Sequence, residues 1–215
     1  MPPPGLPRSL AGNGVDLVRE LALARAVQRA LARLYQIEDV PDVHAFVEHA
    51  GEGERESLHL RRGEDGVLEV SLRLPTLAPG LDALCQLIEG VSHFVYVADR
   101  ARVDREATQL ELELQAEVDK YVVLLASAEE PGTERAAVAR SERLRARLYE
   151  RVRFCHAPES ETGDRYRVAN ATAAKFARRL EREFIAPRRL VQMRDELRLF
   201  FRMGQEDKLR YARMT

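Results

Sequence analysis

The stretch TQLELELQAEVDKYVVLL, from Thr108 to Leu125, decides the fold because it fits two different periodicities. Its first half alternates leucine with acid, as a half-buried β-strand does. Its residue types favour a helix instead, since no β-branched residue occurs between Gln109 and Glu117. Helical spacing then continues at Leu114, Val118, Tyr121 and Leu125. We therefore predict a helix.

The leucines of this helix constrain its surroundings. Leu110, Leu112 and Leu114 cannot share one face of a helix, so they wrap around it. A helix with leucine on several sides needs neighbours on several sides, which makes it the central helix of the fold. Some of its acids are then shielded from water, and Glu113 is the one expected in solvent.

Upstream, the sequence indicates one long helix, a short element and a β-hairpin. Apolar residues three and four apart predict a helix that ends near Tyr35. Asp42 is expected to cap a short helix closed by Gly51, with a strand as the alternative. SLHLRR and VLEVSLRLP then alternate with period two around GEDG at 63–66, which is typical of a hairpin. Its apolar face needs cover from helices or a partner chain.

Downstream of Leu81 every pattern is helical. An arginine-rich helix starts at Thr133, another stripe covers 166–184, and Pro187 suits the first position of a last helix. The inward positions of the arginine-rich helix are expected to be Ala137, Leu144, Leu148, Val152 and Cys155.

These patterns predict a mainly α protein, a multi-helix bundle with one β-hairpin inserted after the first long helix. We expect a flexible, Pro- and Gly-rich lead-in over 1–14 and a single helical domain over 15–215. Within that domain the hairpin lies at about 57–74 and the helical bundle at about 81–205.

Composition favours a soluble globular protein. Apolar residues make up 45% and charged residues 32% of the 215, and no apolar run reaches the roughly 18 residues of a membrane span. The start lacks the features of a secretory signal, and two cysteines are too few for a disulfide framework. We expect a cytoplasmic location and no membrane partner. Arginine supplies 31 of the 34 basic residues, which is typical of a GC-rich bacterial genome.

Charge is distributed unevenly along the chain. Residues 1–130 hold 13 Lys and Arg against 23 Asp and Glu, whereas residues 131–215 hold 21 against 12. Two interpretations stay open: a basic surface for an acidic partner, or a basic C-terminal half that docks on the acidic N-terminal half.

His93 is the strongest candidate for chemistry. If the helices on either side of residues 102–106 form an antiparallel hairpin, His93 meets Gln115, with Glu111 and Asp119 one turn away on either side. A histidine among carboxylates can bind a metal or act in acid–base catalysis, so the catalytic candidates are His93, Glu111, Glu117 and Asp119. A buried histidine that serves packing is the alternative. No second histidine stands at ligand spacing, so no metal or other cofactor is expected.

Arginine stripes supply the candidates for phosphate or anion binding: Arg140, Arg143, Arg147, Arg151, Arg165 and Arg167. Further stripes occur at 175–182 and 194–202. A solvated face of helical ion pairs is the alternative reading of each stripe. Arg167 is expected to pair with Glu117. Aromatic residues are not interleaved with these basic residues in a pattern that would suggest base stacking, so sequence-specific or single-strand recognition is disfavoured.

Three functions follow as hypotheses. The leading one is a non-enzymatic helical interaction module that self-associates or binds a protein partner, because no nucleotide loop, metal motif or catalytic triad is present. The second is a nucleic-acid-associated factor that contacts phosphates through its C-terminal arginine-rich helices. The third is a metal-dependent or acid–base enzyme centred on His93.

Overall fold

The computed structural model describes residues 8–9, 17–63, 67–128 and 133–214. The chain divides into two compact units, residues 1–107 and 108–215. Seven α-helices and one small sheet lie in the described residues, which confirms the mainly α prediction with strands after the first helix. The single domain predicted over 15–215 stays a prediction. The lead-in predicted over 1–14 lies, apart from Arg8–Ser9, outside the described residues.

The N-terminal unit joins two helices to a sheet. Its helices are α1 (Val18–Tyr35) and α2 (Leu81–Arg102), and its strands are β1 (Arg8–Ser9), β2 (Val47–His49), β3 (Ser57–Arg62) and β4 (Leu68–Leu74). β3 pairs antiparallel with β4, which confirms the predicted hairpin strands, although residues 64–66 of its turn are outside the described part. β1 and β2 both run parallel to β4. Because β3 pairs with the same β4 residues along one edge of that strand, β1 and β2 lie along the opposite edge.

Two contacts position these elements. Asp42 caps a single 3-10 turn, Val43–Phe46, by accepting a hydrogen bond from the His44 backbone N–H. The chain then continues directly into β2. The predicted short helix and the alternative of a strand are therefore both partly right. Gly90 on α2 allows close approach to the sheet, because a Cβ there would lie 2.9 Å from Leu72 Cδ1. The β4 part of the hairpin's apolar face is therefore covered by a helix of its own unit, whereas Leu60 on β3 is 45% exposed.

In the part that the structure describes, the C-terminal unit contains helices and loops but no strand. Its elements are α3 (Gln109–Ser127), α4 (Glu134–Arg145), a first π segment (Ala146–Glu150), α5 (Glu161–Leu180), a second π segment (Glu181–Ile185), α6 (Leu190–Arg202) and α7 (Gln205–Tyr211). The opening stretch is thus a helix, as predicted. It begins with a capping box in which Thr108 and Glu111 bond each other's backbone N–H, and it packs against α4, α5 and α7.

Several local predictions were wrong. Val152 and Cys155 are exposed rather than inward, because the helix that starts at Glu134 ends in the first π segment at Glu150. Pro187 lies in a turn, and α6 begins only at Leu190. Glu113 is buried at 8% exposure rather than solvated.

A seventh helix was also missed, since α7 continues beyond the predicted end of the bundle at residue 205. None of the helices in the described ranges is long and apolar enough to cross a membrane.

Candidate anion-binding surface

The catalytic candidates lie on two elements in two units. His93 is half-buried on α2 of the N-terminal unit, and Glu89, one turn before it, has a carboxylate oxygen within 4.8 Å of an imidazole nitrogen. Glu111, Glu117 and Asp119 lie on α3 of the C-terminal unit. Their convergence with His93 and the enzyme hypothesis built on it stay predictions.

The acids of α3 have structural partners within their own unit. Glu117 accepts a hydrogen bond from Lys120 Nζ at 2.9 Å, and Asp119 accepts one from Gln115 Nε2 at 2.9 Å. Gln115 in turn accepts from Lys208 Nζ at 2.5 Å. The Lys208 amine is fully buried and lies 4.9 Å from the centre of the Phe200 ring. This network fastens α7 to α3.

A second buried network, the Glu181 cluster, consists of Tyr121, Ser141, Arg145 and Glu181. One Glu181 oxygen accepts from Ser141 Oγ at 2.8 Å and from the Tyr121 hydroxyl at 3.4 Å, and the other accepts from Arg145 Nε at 2.8 Å. Burial, reinforced by the Glu181 charge, raises the pKa of the Tyr121 phenol above its usual range. The cluster joins α3, α4 and the second π segment, and no sequence spacing indicates it.

The first π segment determines which arginine reaches Glu150. Arg151 N donates to Ala146 O, so residues five apart are aligned there. Arg145 accordingly donates to Glu150 at 2.6 Å, across a spacing of five. In an uninterrupted α-helix, Glu150 would be the i+3 neighbour of Arg147. The π turn thus assigns this carboxylate to the arginine that already holds Glu181.

The opposite side of this helix carries what we call the arginine face: Arg143, Arg147 and Arg151, with Arg153 from the following loop. All four side chains are exposed, and none forms an ion pair or hydrogen bond with another residue in the described ranges. Local sequence explains why. No acid stands three or four positions from Arg143 or Arg151, and Glu150, the one acid so placed for Arg147, is held by Arg145. Arg140 differs, because it donates to the Ala128 carbonyl.

The remaining arginine stripes carry ion pairs, although Arg179 is buried and is therefore not part of a solvated face. Arg179 pairs with Glu183 and Glu196, and Arg198 pairs with Asp195. Arg182 also contacts Glu183, at 2.7 Å. Lys175, on the same stripe as Arg179, is exposed. Arg194 on α6 is exposed too and forms no ion pair in the described ranges, so the arginine face differs from the other stripes in that none of its four arginines is paired.

Aromatic rings follow the arginine face along the chain, and their contacts with one another were not indicated by the sequence. The His156 and Tyr166 rings are stacked, with centroids 5.5 Å apart and planes 17° apart. The Arg167 guanidinium lies 4.6 Å from the centre of the Phe154 ring. We call these four residues the aromatic platform.

Arg167 does not pair with Glu117, so that prediction was wrong. Its guanidinium donates instead to the carbonyls of Gly163, at 2.8 Å, and His156, at 3.2 Å. Arg165, the other candidate at this helix start, is half-buried. A side chain at Gly163 would collide with the Ala157 carbonyl, so the loop before α5 packs tightly against the helix. Arg167 thus fixes the loop that carries His156.

The N-terminal unit contains a cavity of about 830 Å³ whose lining includes His49, Arg55 and Asp82. Its polar groups contact one another: His49 Nε2 lies 2.9 Å from Thr76 Oγ1, and Arg55 lies 3.6 Å from Asp82. The cavity therefore presents no convergent set of ligand-binding groups.

Comparison of this chain with protein-family models, with curated proteins and with solved structures finds no match.

Proposed function

We propose that the C-terminal unit binds a phosphate-bearing polymer, such as a nucleic acid, through the arginine face. The observation that carries this proposal is that Arg143, Arg147, Arg151 and Arg153 are all exposed without carboxylate partners in the described ranges, whereas each of the other stripes contains ion-paired arginines. Guanidinium groups match phosphate oxygens in charge and geometry. Each phosphate that they neutralise releases condensed counterions, which favours binding.

The arrangement is unfavourable without an anion, which supports the proposal further. Arg143 and Arg147 are like charges at a spacing of four, and such pairs cost an isolated helix about 0.2 to 0.5 kcal/mol. A bound phosphate converts this repulsion into attraction. The same residues on a purely solvated face would gain from interspersed acids, as α6 does with Asp195.

The salt dependence of binding tests the proposal. We expect affinity for a labelled DNA duplex, measured by fluorescence anisotropy, to fall steeply between roughly 50 and 200 mM salt. The triple variant Arg143→Gln/Arg147→Gln/Arg151→Gln should reduce the slope of log K against log salt by about 2.7, because each contact contributes about 0.9.

A matched control removes the same charge elsewhere. The triple variant Arg182→Gln/Arg198→Gln/Arg210→Gln replaces arginines that are paired with Glu183, Asp195 and Asp207. It should leave most of the slope intact. Equal losses in the two triple variants, or no salt-dependent binding by the wild type, would contradict the proposal.

Self-association is a second candidate, supported by the outer face of α6. Val191 is 67% and Leu199 49% exposed, and Arg194 and Asp195 lie between them. A face with apolar ends and charges of both signs is complementary to its own copy in an antiparallel arrangement. Light scattering should then detect a dimer that Val191→Ser/Leu199→Ser dissociates. A wild-type monomer at every concentration would exclude it.

A further inference from the structure

We infer that the arginine face binds a single strand, and that the aromatic platform stacks an unpaired base of that strand on His156. This inference rests on the proposed function, since the arginine face supplies the phosphate contacts. The platform consists of Phe154, His156, Tyr166 and Arg167, and it follows the arginine face directly in the chain. The platform distinguishes a single strand from a duplex, whereas the arginines can contact the phosphates of either.

The ring geometry provides a stacking surface. His156 is exposed although one of its faces covers Tyr166, so the opposite face of the imidazole is available to another planar group. Unpaired bases stack on aromatic and histidine rings, and every base has a face that can do so. A base on His156 would extend the existing pair into a stack of three rings.

The platform is held in place before any ligand arrives. Arg167 lies over Phe154 and donates to the backbone carbonyl of His156, which ties the loop to the first turns of α5. Ser160 caps that helix by accepting from the Gly163 backbone N–H at 3.0 Å. A fixed ring loses little conformational entropy when a base stacks on it.

Phosphate contacts are close enough to serve the same strand. Arg151 and Arg153 precede His156 by five and three residues, so their Cα atoms lie within about 18 Å and 11 Å of its Cα. The exposed acids Glu159 and Glu161 follow His156 at the start of α5 and oppose phosphates on that side. The strand therefore runs from the platform towards Arg151 and not towards α5.

A duplex does not fit this combination, because its bases are already stacked on one another. It can contact the arginine face through phosphates but offers no base to His156. The inference thus predicts a preference for single strands that depends on one imidazole.

The test compares four labelled probes of about 12 nucleotides, within the site sizes of single-strand-binding folds. They are oligothymidine DNA, oligouridine RNA, an abasic DNA strand with the same number of phosphates, and a DNA duplex. His156→Ala should weaken binding of the thymidine or uridine strand by roughly 5- to 150-fold, the usual range for removal of one stacking ring. The abasic strand and the duplex should be affected by less than about twofold.

His156→Phe is the matched control, since it keeps a planar ring and should retain single-strand affinity. The two arms with DNA and RNA show which sugar the strand carries. If His156→Ala leaves single-strand affinity unchanged while the Arg143/Arg147/Arg151 variant lowers it, stacking is wrong and phosphate binding stands. If wild-type protein binds none of the four probes, both inferences are wrong.

Discussion

Arg145 and Arg147 are two residues apart on the helical segment from Glu134 to Glu150, yet their surroundings are opposite. Arg145 is largely buried and holds two carboxylates, Glu181 and Glu150. Arg147 is exposed and holds none in the described part of the chain. The contrast teaches that the count of arginines does not define a basic surface. A basic surface consists of the arginines that cannot reach an acid. Here the π turn determines that Arg145, and not Arg147, contacts Glu150.

The largest expected effect separates these two arginines by stability. Arg145→Ala should lower the free energy of unfolding by about 3 to 5 kcal/mol, because it leaves the Glu181 charge buried without its cation. Arg147→Ala should change it by less than about 0.5 kcal/mol, the range of ordinary surface substitutions. Urea unfolding followed by circular dichroism measures both. Similar losses in the two variants would refute the contrast.

An intermediate effect is expected at Tyr121, which lies on α3 and donates to the same Glu181 carboxylate that Arg145 holds. Its pKa is raised in the fold, so its contribution is present below the unfolded pKa of about 10 and is lost as pH rises above that value. Tyr121→Phe should cost about 1 kcal/mol at neutral pH through the lost hydrogen bonds. Its deficit relative to wild type should shrink above pH 10 or so. A deficit that stays constant across this range contradicts the shift.

The smallest effect concerns Arg25, which is half-exposed and paired with Asp42 at the protein surface. Its bidentate hydrogen bonds lower the pKa of Asp42. The stabilisation is therefore present above the unfolded pKa of about 3.9 and lost as pH falls through the lowered folded value. Asp42→Asn keeps the cap on His44 and removes the charge, so it should be slightly less stable than wild type at pH 6 and equal to it in strong acid. A gap that persists in acid would disagree with this.

Sequence periodicity correctly predicted the regular helices and the hairpin. It gave wrong predictions where a helix changes from α to π geometry. The stripe through Leu114 and Tyr121 identified α3, and alternation at 57–74 identified the hairpin. The π segments at 146–150 and 181–185 shift the spacing from four to five, so extrapolation across 150 placed Val152 and Cys155 inward. Pro187 was misplaced for a different reason: proline suits the first position of a helix, but here it lies in the turn at 186–188, and α6 begins at Leu190.

The candidate surface was predictable in part. Arg143, Arg147 and Arg151 were identified by helical spacing, and the absence of acids around Arg143 is visible in the sequence. The hydrogen bond between Arg145 and Glu150 could not be predicted, because it depends on the π turn. The stacking of His156 on Tyr166 joins residues on opposite sides of a loop and has no periodic pattern. Long-range pairs of this kind are fixed by tertiary packing.

The burial of Lys208 and Lys120 has a practical consequence for chemical labelling. The chain has three lysines, and only Lys175 is exposed. An amine-directed dye would therefore modify one lysine in the folded protein, on α5, which packs against α4. Lys175 is thus the one lysine available for attaching a fluorophore, and a change in its emission would report the strand binding that we propose for the neighbouring helical segment.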